Sequence, residues 1–348
     1  MIRFTNDYSQ GAHPDILQAI TEVSMEGNFG YGCDPHTQRA AKLIGELCQC
    51  EGAAIHFLMG GTQTNMTAIS AFLKPYQAAI AAESGHICTH ETGAVEGTGH
   101  KCIAVPTEDG KLTPDHIRQV MEAHPDEHMV QPKLVYISNT TEWGGFYTTG
   151  ELEALRQVCE DYHLWLYLDG ARLGSALAAG ATTLPDLARL CHAFYIGGTK
   201  NGALFGEALV IVEPALQTDF RYHMKHRGGM LAKGFLLGVQ FEVLMEHQMG
   251  RYLAMADHAN QMAGRLRQGL EERGYPFYVD SLSNQIFPIL PNALLQTLEG
   301  DFHWEVTRKM GDGNTVIRLV TSWATMPQEV EAFLAKIPHK TVEFHGNI

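Results

Sequence analysis

Several residues in this chain have types and surroundings suited to covalent amine chemistry. Lys200 closes the stretch FYIGGTK, residues 194–200, where a short apolar run gives way to Gly197-Gly198-Thr199. Apolar runs of this length bounded by glycine read as buried strands, so the lysine stands at a strand end on small-residue backbone. In a cleft such an amine is partly desolvated, which lowers its pKa and makes it a nucleophile or Schiff-base former; the alternative is a surface lysine after a strand. A second stretch, MGGTQTN at 59–65, follows an apolar run and precedes a helical one at 66–73. Free N–H groups and the helix dipole there make an anion site, and an ordinary capped turn is the competing reading. It fits neither the Walker A pattern nor G-x-G-x-x-G, so a phosphate bound at Gly61-Thr62 belongs to some other cofactor. Asp169 and Arg172 close LYLDGAR, and His86 stands in ESGHICTHE. Pyridoxal phosphate (PLP) chemistry needs a lysine, a phosphate site, a carboxylate for the pyridinium nitrogen and a group stacked on the ring. Lys200, Gly61-Thr62, Asp169 and His86 meet those needs.

These residues depend on a repeating frame. Apolar runs at 53–58, 79–82, 102–106, 134–138, 164–168, 194–196 and 208–212 read as strands, with helical stretches between most of them. Such alternation predicts a mostly parallel sheet covered on both faces, with ligands beyond the carboxyl ends of the strands. Asn139, Asp169, Arg172, Thr199 and Lys200 each follow a strand directly, and His86 lies slightly further on. The boundaries expected are an N-terminal arm at 1–14, a large domain at 15–245 and a small α+β domain at 246–348. A long amphipathic helix at 250–273 bridges the last two, and strands are expected at 275–279, 285–290 and 316–321. The small domain contributes Arg318, a charge inside an apolar strand, which reads as either outward-facing or paired with an anion. His86 and His90, at i and i+4, could be drawn as metal ligands, but no third ligand has a recognisable spacing, and no metal is expected.

Composition narrows the classes. A net charge of -14 over 348 residues argues against nucleic-acid or anionic-membrane partners, which need clustered Lys and Arg. No apolar run reaches membrane-spanning length and MIRFTNDY is no signal peptide, so a cytosolic protein is expected. The seven cysteines show no C-x-x-C pair and read as free, mostly buried thiols.

Taken together, FTNDYSQGAHP, GYGCDP, GGTQTN, SGHICTHETGA, LDGAR, GGTKNG and IRLVTSW resemble, in order and spacing, the PLP-dependent low-specificity threonine aldolases. These belong to the aromatic amino acid β-eliminating lyase/threonine aldolase group of the fold type I (aspartate aminotransferase-like) superfamily. The resemblance covers roughly residues 4–337. It implies an α/β fold with a mostly parallel seven-stranded sheet and a small α+β C-terminal domain. It also implies Lys200 as the cofactor lysine, Asp169 on the pyridine nitrogen, His86 on the ring, and Gly61, Thr62 and Gln63 on the phosphate, with Thr199 nearby. Arg172 would contact cofactor or substrate carboxylate, and Arg318 would hold that carboxylate. His128 matches a position that approaches the substrate hydroxyl, so the base would be His86, His128 or a water. Lys225 matches a basic residue near the carboxylate or phosphate. Thr5-Asn6-Asp7 stands where the family often has Arg-Ser-Asp, which puts Asn6 in place of a serine on the substrate carboxylate. The activity implied is cleavage of a β-hydroxy-α-amino acid to glycine and an aldehyde, with β-elimination on an aromatic amino acid as the alternative. A homodimer or homotetramer with shared sites is implied, residues 27–35 with Tyr31 reaching into the neighbour's site.

Overall fold

The computed structural model describes residues 1–340. Its first strand, β1 (Ile2–Arg3), is short. The main sheet is built from β2 (Ala54–Leu58), β3 (Gln77–Ala82), β4 (Cys102–Val105), β5 (Gln131–Ser138), β6 (Trp165–Asp169), β7 (Ala193–Gly197) and β8 (Glu207–Ile211). Across the sheet they run β2-β8-β7-β6-β5-β3-β4. Every neighbouring pair is parallel except those involving β8, which runs against both β2 and β7. This is the mostly parallel α/β sheet that the alternation of apolar runs predicts.

Period-2 alternation in the central strands sorts their side chains onto two faces. Val135, Ile137, Leu166, Leu168, Phe194 and Ile196 enter one core. Leu134, Tyr136, Tyr167, Ala193 and Tyr195 enter the other. The second face therefore carries three buried tyrosines from adjacent strands, with Tyr136 and Tyr167 directly in register.

The helix after β2 begins earlier than its apolar pattern suggests. It spans Gly61–Phe72, with Gly60 as an extended N-cap residue, and the Thr64 hydroxyl donates back to the Gly60 carbonyl. The polar stretch GTQTN is thus the first turn of a helix rather than a loop, and Gly60 supplies no side-chain cap for its free N–H groups.

The helix Phe235–Glu272 leaves helical geometry at residues 246–249 and leads to a second unit. There β9 (Gln285–Ile286), β10 (Ile289–Pro291), β12 (Glu305–Lys309) and β13 (Asn314–Val320) pair antiparallel around β13, while β11 (Phe302–His303) pairs with β1. The expected strand at 275–279 is reduced to a single bridge between Phe277 and Pro288. Prolines at 276 and 288 lack the N–H that a ladder needs there. The arm expected at 1–14 is anchored: Phe4 is fully buried in the core of this second unit and meets Phe333 edge-on at 5.6 Å. The small domain expected to run to 348 ends, at residues 341–348, outside the described residues. Among the described residues no helix is long and apolar enough to cross a membrane, and all seven cysteines are free.

Candidate active site

A cavity of about 520 Å³ opens at the carboxyl edge of the main sheet. The loops after β2, β3, β5, β6 and β7 deliver Gly60, Gly61, Thr62, His86, His90, Glu142, Arg172, Thr199 and Lys200 to its wall, and the second unit adds Glu305 and Arg318. The loops can converge because Gly170 lies against β7; a Cβ there would stand 1.8 Å from the Tyr195 carbonyl oxygen. Lys200 is half-buried. Burial first, and the Arg172 charge second, hold its amine below the ordinary lysine pKa.

Beneath the cavity floor lies Asp169, 3% exposed. Its Oδ2 accepts from Tyr136 Oη at 2.6 Å and Asn65 Nδ2 at 2.8 Å; its Oδ1 accepts from Tyr195 Oη and from the Ala171 N–H at 3.0 Å. Burial works to raise its pKa, but His86 and these donors outweigh it and hold the carboxyl below its ordinary range. The charge on Asp169 is therefore built in. The Asn65 amide also donates to Glu91 Oε1 at 2.8 Å, and that oxygen lies 2.7 Å from His86 Nδ1. The Glu91 carboxylate, wholly shielded from solvent, accepts from Nδ1 and leaves the His86 Nε2 lone pair free. His86 is further fixed through its own N–H, which donates to Glu142 Oε1 at 3.0 Å. Burial, then Asp169, raises the Glu142 pKa.

Two guanidinium groups line the cavity. Arg172 forks onto Asp7, Nε to Oδ2 at 2.7 Å and Nη2 to Oδ1 at 3.1 Å. Arg318 pairs with Glu305, its Nε is buried without a partner, and burial followed by Arg172 lowers its pKa. The Arg172–Asp7 pair is nearly solvent-free, with side chains 12% and 1% exposed. Asp7→Asn leaves a buried charge uncompensated and is expected to cost about 3–5 kcal/mol, read as a fall in the urea midpoint. Burial works to raise the Asp7 pKa, and Arg172 and Lys200 outweigh it so that the value is depressed. The stabilisation is therefore full above the ordinary carboxylate range and is lost as pH falls through the depressed value. The gap between wild type and variant narrows in strong acid.

A family model described as beta-eliminating lyase matches residues 7–289. The chain belongs to the beta-eliminating lyase family. Within that family it is 31% identical over 340 residues to a low-specificity L-threonine aldolase of a Pseudomonas species, covering 96% of both chains. A solved threonine aldolase of Leishmania major superposes with a TM-score of 0.95 at 47% identity, covering 97% of this chain and 98% of that one. An aspartate aminotransferase of Thermus thermophilus, at 15% identity and a TM-score of 0.68 over 97% of this chain and 90% of that one, shares the fold. The architecture is that of the PLP fold type I enzymes.

For this member of the beta-eliminating lyase family, the cavity gathers Gly61, Thr62, His86, Arg172, Thr199, Lys200 and Arg318 from the positions expected in the sequence, with Asp169 directly below. The other expected residues lie elsewhere in this chain. His128 is exposed in the turn before β5, where its N–H donates to Asp126. It sits at the amino end of that strand, roughly 25 Å of strand away from the cavity edge, so it is no base for its own chain's site. Asn6 caps a local turn, Oδ1 accepting from the Tyr8 N–H and the Ser9 hydroxyl. Gln63 folds back, its amide donating to the Arg227 carbonyl. Tyr31 and Lys225 pack on each other outside the cavity, the ammonium 4.5 Å from the ring centroid. The sequence reading missed Asp7, Asn65, Glu91, Glu142, Glu207 and Tyr195. Four of them stood inside quoted motifs: Asp7 in FTNDYSQGAHP, Asn65 ending GGTQTN, Glu91 in SGHICTHETGA and Tyr195 in FYIGGTK.

The residues present fit pyridoxal 5'-phosphate. The uncapped helix N-terminus at Gly60–Thr62 offers N–H groups to a phosphate. Gly61 keeps that corner open, since a Cβ there would meet the Tyr195 hydroxyl at 3.0 Å. Asp169 supplies fixed negative charge, His86 a partly exposed ring and Lys200 an amine.

Proposed function

We propose that this protein is a PLP-dependent aldehyde-lyase that cleaves β-hydroxy-α-amino acids of the L-threonine and L-allo-threonine type to glycine and an aldehyde. The observation that carries this reading is one cavity holding an amine of lowered pKa, an anion-binding helix terminus and two arginines, above a buried carboxylate kept ionised by His86 and by its side-chain hydrogen-bond donors. The Pseudomonas and Leishmania relatives, both threonine aldolases by name, support it. When bound, PLP supplies the sink for the electron pair of the breaking Cα–Cβ bond. Lys200 would carry the cofactor, the Gly61 and Thr62 amides with Thr199 would hold its phosphate, and Asp169 would supply the negative charge that keeps its ring nitrogen protonated. Arg318, with Arg172, holds the substrate carboxylate, a task suited to planar guanidinium forks, and so fixes which bond at Cα is presented. His86 Nε2, whose lone pair the Nδ1–Glu91 contact leaves free, takes the β-hydroxyl proton directly or through a water.

The test is a product assay with L-threonine and PLP: glycine and acetaldehyde in equal amounts are expected, and a 2-oxo acid with ammonia would replace this reading with β-elimination. Arg318→Ala is expected to raise KM by about 10- to 100-fold, the loss of one hydrogen-bonded charge contact, with a smaller change in kcat. An unchanged KM removes Arg318 from carboxylate binding.

The reading includes a cytosolic homodimer or homotetramer. Free thiols throughout the chain support the compartment. Residues 27–35 support the assembly, because Phe29, 76% exposed, and Tyr31, 47% exposed, turn away from their own cavity. Sedimentation equilibrium checks it; a fully active monomer would exclude shared sites.

A further inference from the structure

One acidic side chain of the cavity wall has no part in the reading above. Glu207 is the first residue of β8, and because β8 runs against its neighbours, its amino end meets the carboxyl ends of the others. In register it sits between Leu58, which leads into the Gly60–Thr62 helix terminus, and Gly197, which leads into Lys200. The side chain is 4% exposed and lines the same cavity as Lys200 and Thr62. Its Oε2 accepts from the Gly198 N–H at 2.9 Å. A carboxylate in this place borders both an ammonium and a corner shaped for a phosphate; toward the first it is attractive and toward the second repulsive.

We propose that Glu207 is the proton acceptor for the Lys200 amine. The Nζ–H bond breaks and a carboxyl O–H bond forms, relayed by cavity solvent, so that ammonium and carboxylate become a neutral amine and a neutral carboxyl. The neutral amine is the form that attacks a carbonyl, and the neutral carboxyl no longer opposes a phosphate held at Gly60–Thr62. The inference rests on the PLP reading of the site. Burial supports it by pushing the Glu207 pKa up to about 7, into the range where it can take and release a proton at neutral pH. The charged and titratable groups around it are Lys200 on its loop, Tyr195 on the adjacent β7, Asp169 and Tyr167 on β6 beyond it, and Tyr252 on the long helix. Lys200 is the one cation among them.

Glu207→Gln tests this, since the amide oxygen can still accept from Gly198 while the side chain cannot take a proton. The probe is PLP added to cofactor-free protein, followed by its visible absorbance from about pH 6 to about pH 9. Wild type is expected to capture PLP fully at neutral pH. In the variant the maximal rate of capture is expected to fall about 10-fold or more, because no carboxylate then takes the proton that Lys200 sheds; a profile that only moves to lower pH, as loss of a charge that stabilises the ammonium would produce, overturns the proposal. Overlapping profiles overturn the proposal while leaving the PLP reading in place; wild type that takes up no PLP at any pH overturns both. Should the variant fail to fold, wild type decides: an infrared difference spectrum on adding PLP must gain a protonated-carboxyl band that Glu142→Gln retains. No gain, or a band lost with Glu142→Gln, refutes the assignment.

Discussion

Lys200→Ala should leave a folded protein that turns over its amino acid substrate on the order of 10⁴-fold more slowly, or not measurably. The side chain projects from a strand-end loop into the cavity, and its amine is already disfavoured by burial and by Arg172. Truncating it removes a desolvated charge from the wall, so no loss of stability is expected. What is lost is the covalent hold on the cofactor. The Gly60–Thr62 helix terminus and His86 remain, so equilibrium dialysis should still detect PLP binding, now with the absorbance of the free aldehyde. Binding with wild-type absorbance would mean that another amine does the work assigned to Lys200.

Asp169→Asn carries the second-largest expected effect. All four contacts to this carboxylate are donors, two on each oxygen. An asparagine must turn its NH₂ toward one of those pairs, donor against donor, and it no longer carries the charge that stabilises a protonated ring nitrogen. Turnover should fall by about 10²- to 10³-fold, the scale on which removal of one preorganised electrostatic group is felt. Stability should fall by about 1–3 kcal/mol, because buried donors lose their acceptor. The wild-type Asp169 pKa is depressed, so its contribution is present at neutral pH and is lost in acid, and the variant should lack that acid dependence. A variant with wild-type kcat would show that the charge at 169 is structural alone.

The frame and the reactive centre were legible because they rest on punctuation. Short apolar runs alternating with helical stretches located the strands of the main sheet, and the rule that ligands gather beyond strand carboxyl ends brought Lys200, Arg172 and His86 together before any coordinates. The same rule would have dismissed His128, which precedes its strand rather than following it. The acids were harder. Glu91 and Glu142 lie in polar runs that look solvated, and their burial is set by Asn65 and His86 arriving from other elements. In the second unit, β12 is an edge strand of sequence EVTRK, mostly exposed, so it shows no apolar alternation to find. Asp7 could be noticed in its motif, but its fork with Arg172 spans 165 residues of sequence and belongs to tertiary structure alone.

The reversal of β8 also bears on how such a site changes over generations. Residue 207 is locked on both flanks by ladder hydrogen bonds to β2 and β7, so replacing its side chain leaves the surrounding backbone where it is. A change from Glu to Gln there alters the proton inventory beside Lys200 while keeping the acceptor that the Gly198 N–H of the glycine-rich loop needs. Among the described residues β8 is the one reversed strand of the main sheet, and from its first position a lineage could retune the working pH of the lysine on the neighbouring loop; an engineer seeking variants for acidic or alkaline media has the same handle.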